Sequence, residues 1–163
     1  MKHLALAFTA AIIAAPVAAQ TAMPIAPAST PVGYGAPITL ANAMKLIEKG
    51  MKQAEARKLK MAFAVVEPSG ELVAFAKMDD VVYASAHLAQ QKARSAARFR
   101  LPTSEFETRV IGGRTVLLSS DEVIAIGGGV PIMTNGRVIG ALGVSGGSAA
   151  DDAAVAGAAL SDR

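Results

Sequence analysis

The chain has 163 residues, of which 52% are hydrophobic and 4% aromatic, and its formal net charge is +3. This length suits a single domain with an aliphatic core, and the scarcity of aromatic rings and the small charge argue against a nucleic-acid partner. Cysteine is absent, which excludes disulfides, thiolate catalysis and cysteine-ligated metal sites.

The amino terminus has the pattern of a secretory signal peptide. A basic Lys2 precedes an apolar stretch over residues 4–15, and Pro16 and the small Ala19 follow it. A transmembrane anchor is the alternative, but the stretch is shorter than the roughly 20 residues that span a bilayer. We therefore predict a signal peptide over residues 1–19, a periplasmic or secreted protein, and no stable membrane insertion.

Residues 20–37 follow the predicted cleavage point and contain prolines among small residues, with no charged side chain. This composition predicts a flexible arm before a domain over residues 38–163. The domain is predicted to open with a helix from an N-cap at Thr39 to about Leu59. Apolar side chains recur on one face of that helix: Leu40, Met44, Ile47 and Met51.

Two segments have the pattern of β-hairpins. Residues 61–66 and 72–78 are apolar and flank a Pro-Ser-Gly turn. Residues 130–133 and 138–144 flank Asn135-Gly136, a strong short hairpin signal. The last of these strands is rich in glycine, so a helix, a partner subunit or a flat ligand can approach its backbone closely.

The region between the hairpins begins with an alanine-rich segment that predicts a helix over residues 84–99, stopped by Pro102. A second, short helix is predicted to follow, capped by Thr103 or Ser104 and reaching about Val110.

Residues 111–120 show little periodicity and predict a loop, and residues 123–126 predict a short strand. The last helix is predicted from about Asp152 to Leu160, capped by Ser148 or Asp151. The order of helix, two strands, helices and strands predicts an α+β fold with a mostly antiparallel sheet.

Several sequence blocks occur together in the order found in a known family. These blocks are AVVEPSGELVAFAKMDD, LAQQKARSAARF, GGGVPI and GRVIGALGVSGG followed by Asp151-Asp152. From about Ile38 to Leu160 the chain resembles the GlcG/HbpS family. The resemblance implies a five-stranded, profilin-like sheet with packed helices, self-association into a homo-oligomer, and a small-molecule ligand for which heme is the leading candidate.

The predicted helix over residues 84–99 carries a polar face. His87, which is the histidine that remains after signal cleavage, is followed at spacings of four, three and four residues by Gln91, Arg94 and Arg98. An imidazole beside two guanidinium groups suits an anionic molecule, such as heme with its propionates or a small carboxylate. The alternative interpretation is an ordinary solvated or interface face of a helix.

The family block over residues 92–96 lies on the same helix, with Ser95 where threonine is usual. With the resemblance, we predict His87 as the heme-iron ligand and Tyr83 as the second choice. The predicted ligand-binding set is His87, Arg94, Arg98, Tyr83, Lys92 and Ser95. Met78 and Met133 are weaker candidates, because methionine in strands usually fills the core.

Carboxylates near the first hairpin offer a different chemistry. Glu67, Asp79 and Asp80 could provide acid–base catalysis or bind a divalent ion. The alternative is that they are turn and strand-end residues that favour solubility.

Two glycine-containing segments partly match known sequence motifs, one for phosphate binding and one for a catalytic serine. Residues 127–129 lack the lysine and hydroxyl of a phosphate-binding loop. The letters around Ser145 match a nucleophile elbow, but they follow an antiparallel hairpin rather than a parallel strand, which disfavours a hydrolase with His87 as base.

The leading hypothesis is a secreted or periplasmic small-molecule-binding protein, with heme bound for transport, storage or sensing. Whether the protein is an enzyme stays open. The second hypothesis is a cofactor-free enzyme acting on a small carboxylate or reactive catabolic intermediate, with Glu67 or His87 in proton transfer. The third is an oligomeric interaction module.

Overall fold

A computed structural model describes residues 32–161 of the chain. The predicted signal peptide and residues 20–31 of the predicted arm lie outside this range. The described elements, in chain order, are α1 (Leu40–Ala56), β1 (Ala62–Val66), β2 (Leu72–Lys77), α2 (Ala84–Phe99), α3 (Thr103–Ile111), a 3-10 helix (Thr115–Ser119), β3 (Gly129–Thr134), β4 (Arg137–Ser145) and α4 (Ala149–Ser161).

The strands form one antiparallel sheet in the order β2-β1-β4-β3. Both predicted hairpins are present. Gly70 closes the first turn with φ +90°, and Asn135 and Gly136 close the second with φ 50° and 71°, the paired positive values of a type I′ turn. The predicted α+β fold with an antiparallel sheet is thus confirmed.

The strand predicted at residues 123–126 is wrong, and the described residues contain four strands rather than five. The side chain of Ser95 in α2 forms hydrogen bonds with backbone groups that would pair with a neighbouring strand if this segment were part of the sheet. Its hydroxyl donates to the carbonyl of Glu122 and accepts from the amide of Ile124. This segment is therefore paired with a helix side chain instead of a sheet edge.

A short segment before α1 occupies the edge of β4 that β1 leaves open. Val138 donates to Gly33 and accepts from Gly35, while the amide of Ile38 donates to Ile139 at 2.8 Å. Tyr34 forms an isolated parallel bridge with Val138. Folded contacts therefore begin before the helix N-cap, within the last residues of the predicted arm.

The sheet lies between two helical layers. Along β1, Phe63 and Val65 belong to a core cluster shared with α1 and α4. The alternate residues Ala62, Ala64 and Val66 belong to a second cluster shared with α2. The small side chains on the α2 side let that helix approach the sheet closely, as the glycine-rich β4 predicts.

The helix ends refine the sequence predictions. Thr39 caps α1 by accepting from the amide of Asn42 at 3.3 Å. Thr103 does not cap α3, because it is the first residue of the helix and its hydroxyl accepts from the Gly129 amide at 2.9 Å. Of the two candidates for α4, Ser148 is the cap, since its hydroxyl accepts from the Asp151 amide at 3.2 Å.

Candidate functional site

The exposed face of α2 forms one wall of a small cleft. His87, Gln91 and Arg94 lie on this wall, and residues 121–124 form the other wall. The cleft has a volume of about 130 Å³. It brings together the predicted imidazole and one predicted guanidinium, as the helical spacing requires.

The opposite wall of the cleft is attached to α2 by Ser95 and Arg98. Ser95 is buried and bonds the backbone of the segment on both sides of Val123. Arg98 Nη1 donates to Glu122 Oε2 at 2.6 Å. Of the predicted ligand contacts, Ser95 therefore lines the cleft and also fixes the position of its second wall.

The two arginines also bond the turn of the first hairpin. Arg98 Nε donates to the Ser69 carbonyl at 2.7 Å, and Arg94 Nε lies 3.4 Å from the Gly70 carbonyl. The Glu71 carboxylate lies 3.5 Å from Arg98 and 3.8 Å from Arg94. Carboxylates thus balance part of the positive charge, so an anionic ligand would have to compete with Glu71 and Glu122.

Lys92 does not share this surface. Its side chain is 1% exposed and points into the protein, where Nζ donates to Asp152 Oδ2 at 2.6 Å and to the Val144 carbonyl at 3.2 Å. The pair joins α2 to β4 and α4. The sequence carries a signal for this placement, because Lys92 shares its helix face with two small apolar residues, Ala89 three positions before it and Ala96 four after it. Both alanines are buried in the structure.

Asp152 is held on both carboxylate oxygens. Its second oxygen accepts from the Gly147 amide at 2.9 Å. Burial raises the pKa of the Asp152 carboxyl above its ordinary value, and the hydrogen bonds and charge of Lys92 and the amide of Gly147 oppose this only in part. Sequence reasoning treated Asp152 as a helix-start residue and did not identify this buried pair.

Tyr83 and Glu67 lie away from the cleft lining. Tyr83 is 92% exposed at the start of α2, with Lys77 Nζ 5.7 Å from its ring centroid. Glu67 accepts from the Ser69 hydroxyl at 2.7 Å within its own turn. Asp80 has a positive φ of 63° in the turn before α2. Within residues 32–161, no three or more His, Asp or Glu side chains are grouped to hold a metal ion.

The two methionines considered as ligands differ in position. Met78 is buried, and its sulfur lies 3.4 Å from the Met61 amide, which donates to it. Met133 lies on the edge strand β3 and is partly exposed. Neither residue lines the α2 cleft.

A larger cavity, which sequence reasoning missed, lies between α1 and the β3–β4 hairpin. Its volume is about 390 Å³. Its lining residues are Ile38, Asn42, Lys45, Leu46, Lys49, Thr134 and Ile139. The spacing of Asn42, Leu46 and Lys49 on one helix face was the available signal, but the partner wall comes from a distant hairpin.

Comparison with known proteins places the chain among relatives of similar fold. The family model described as "Haem degrading protein HbpS-like" matches residues 38–161. Protein GlcG of Escherichia coli (strain K12) is 38% identical over 103 residues, which are 63% of this chain and 77% of that protein.

Two solved structures extend the similarity to three dimensions. A double mutant of HbpS from Streptomyces reticuli matches with a TM-score of 0.71 and 26% identity, over 86% of this chain and 96% of that one. A structure described as a PduOC:heme complex matches with a TM-score of 0.69 and 25% identity, over 76% and 93% of the two chains. In the described part of this chain, no helix combines the length and apolar character needed to cross a bilayer.

Proposed function

The chain belongs to the HbpS-like family, and we propose that it is a secreted or periplasmic protein that binds heme on the exposed face of α2. The observation that carries the proposal is the alignment of His87, Arg94 and Arg98 on one surface of a fold whose structural relatives include a heme complex. Transport, storage or sensing of heme would each use such a site.

The donor set on α2 fits heme in its chemistry. The exposed His87 offers an imidazole, the commonest side chain for axial ligation of heme iron. Arg94 and Arg98 offer planar guanidinium groups suited to propionate carboxylates. When bound, heme would supply redox-active iron, while the protein would hold the propionates and orient the imidazole.

The size of the cleft determines how heme would lie on this surface. Sites that enclose a ligand have volumes of about 300–1,000 Å³, whereas this cleft has about 130 Å³. The cleft is therefore too small to enclose a macrocycle, and a bound heme would lie mostly outside it, on the open face of α2. The homo-oligomer stays a prediction from the family resemblance, and in such an assembly a second copy of the chain would cover the exposed side.

The alternative enzyme hypothesis gains no support from the position of Glu67. Its carboxylate is bonded within the hairpin turn, and it does not line the cleft that contains His87. Proton transfer by Glu67 or His87 therefore stays a prediction from sequence, as does the role of an interaction module.

Hemin titration of the purified full chain, followed at the Soret band, tests the proposal. We expect saturable binding and, for His87→Ala, a displaced Soret maximum with affinity reduced about tenfold or more. Gln91→Ala is the control for the spectrum, because it alters the same cleft wall without removing an iron ligand, so the Soret maximum should not move. Arg98→Ala should weaken binding without moving the Soret maximum.

Two results would overturn the site assignment. One is a His87→Ala complex with the spectrum of the unaltered protein. The other is a spectrum changed by Tyr83→Phe alone, which would assign the iron to the second predicted ligand. Absence of saturable hemin binding would reject heme as the ligand.

A further inference from the structure

The larger cavity between α1 and the β3–β4 hairpin lies on the opposite side of the sheet from the α2 cleft. Helix α1 packs against the core cluster containing Phe63 and Val65, whereas α2 packs against the other face of β1. With about 390 Å³, this cavity falls within the volume range of small-molecule sites. It contains none of the residues of the proposed heme site.

The floor of the cavity is apolar. Ile38 and Leu46 are buried members of the core cluster, and the half-buried Ile139 packs against that cluster. The bond from the Ile38 amide to the Ile139 carbonyl, at 2.8 Å, joins two sides of this floor. An apolar ligand group placed here would bury surface against a preformed wall rather than a loose loop.

The rim of the cavity is cationic. Lys45 and Lys49 lie one helical turn apart on α1, and the neutral polar side chains of Asn42 and Thr134 complete the rim. Among the residues that the structure describes, no carboxylate lines the cavity. Among residues 32–161, the Lys45 ammonium has no hydrogen-bond or ion-pair partner.

We propose that this cavity binds a small amphipathic carboxylate. The apolar part of the ligand contacts Ile38, Leu46 and Ile139. Its carboxylate lies at the rim, where Lys45 and Lys49 provide positive charge and Asn42 provides an amide donor. The site is independent of heme binding, because its residues belong to α1 and the far hairpin.

Octanoate is the probe, and its binding to the purified full chain is measured by isothermal titration calorimetry and by amide NMR shifts. We expect one saturable site per chain, with the largest shifts at residues 134–139 and on the face of α1 that lines the cavity. Octan-1-ol has the same tail without the charge, and it should bind at least about fivefold more weakly.

Variants locate the site. Lys45→Glu reverses the rim charge and should weaken octanoate binding at least about fivefold. Lys52→Glu is the matched control, because it makes the same change on the same helix outside the cavity lining, and binding should remain within about twofold. Thr134→Trp places a large ring at the exposed rim and should abolish binding without altering the core.

The proposal fails if octanoate does not saturate, if Lys45→Glu and Lys52→Glu have equal effects, or if Thr134→Trp binds as the unaltered protein does. His87→Ala separates this proposal from the heme proposal, since it should leave octanoate binding unchanged. A loss of octanoate binding in that variant would contradict two independent sites.

Discussion

The two sides of α2 carry the same class of side chain in opposite environments. Lys92 is buried in a 2.6 Å ion pair with Asp152, whereas Arg94, two residues later, is half exposed beside Glu71. The buried cation joins three elements of the fold, and the exposed one contacts a turn and borders a cleft. The comparison shows that the face a cation occupies on this helix decides whether it is buried in an ion pair or exposed beside a cleft.

The largest expected effect comes from removing the buried cation. Lys92→Ala leaves the Asp152 carboxylate without its charged partner inside the protein, which should lower the free energy of unfolding by about 3–5 kcal/mol. The matched change on the exposed face, Arg94→Ala, should lower it by less than about 1 kcal/mol. Urea denaturation followed by circular dichroism measures both.

A double variant checks the cause of this effect. Lys92→Met combined with Asp152→Leu removes both charges together and should recover most of the lost stability. Equal losses in the free energy of unfolding for Lys92→Ala and Arg94→Ala would contradict the expectation that burial makes Lys92 the more important of the two for stability.

The next effect concerns how closely α2 packs on the sheet. A methyl group at Gly143 would overlap the backbone carbonyl of Ala89, and backbone atoms cannot rotate away as a side chain does. Gly143→Ala should therefore lower the free energy of unfolding by about 3 kcal/mol. Thermal denaturation of the variant measures the loss.

Gly157→Ala in α4 is the control for this change. A methyl group there meets no atom within 4 Å beyond the backbone of its own helix, and alanine favours helix. It should raise stability by about 0.5–1 kcal/mol. A stable Gly143→Ala protein would contradict the close contact between α2 and β4.

The smallest effect is a difference in pH dependence between neighbouring aspartates. Burial raises the pKa of Asp152, so its folded form binds a proton more readily than its unfolded form. Its contribution to stability is therefore present at low pH and is lost as the pH rises from 3.8 through the raised value. Hydrogen bonds from Ser148 lower the pKa of Asp151, so its contribution is present above 3.8 and is lost as the pH falls.

Denaturation of Asp152→Asn and Asp151→Asn across this pH range separates the two contributions. Relative to the unaltered protein, Asp152→Asn should remove a decline in stability with rising pH, and Asp151→Asn should remove a rise. A change of the same sign in both variants would contradict the opposite pKa directions.

Local sequence signals predicted most of the elements. The bounds of α2 and the two hairpin turns follow from alanine content, Pro102, Gly70 and Asn135-Gly136, whose backbone preferences act over a few residues. The segment at residues 123–126 was misassigned because its apolar residues resemble a strand, while the competing partner, Ser95, lies in a different element.

The candidate site was predicted only in part, because local helical spacing is visible in the sequence and contacts between distant elements are not. Helical spacing placed His87, Gln91 and Arg94 together, and the structure brings them to one cleft. The bonding of Arg98 with Glu122, and the burial of Lys92 with Asp152, depend on residues 24 and 60 positions away. No local pattern specifies such pairs.

The amino-acid sequence by itself determined the antiparallel α+β architecture and the polar face of α2, because helical and strand periodicities and turn chemistry are local properties. It also indicated the family, through the resemblance of several sequence blocks in their order along the chain. Only the tertiary structure decided which cations are buried, which carboxylates balance the arginines, and where a cavity forms between α1 and the distant hairpin. Those outcomes depend on desolvation and on contacts between elements far apart in the chain, so they follow once the helices have packed on the two faces of the sheet.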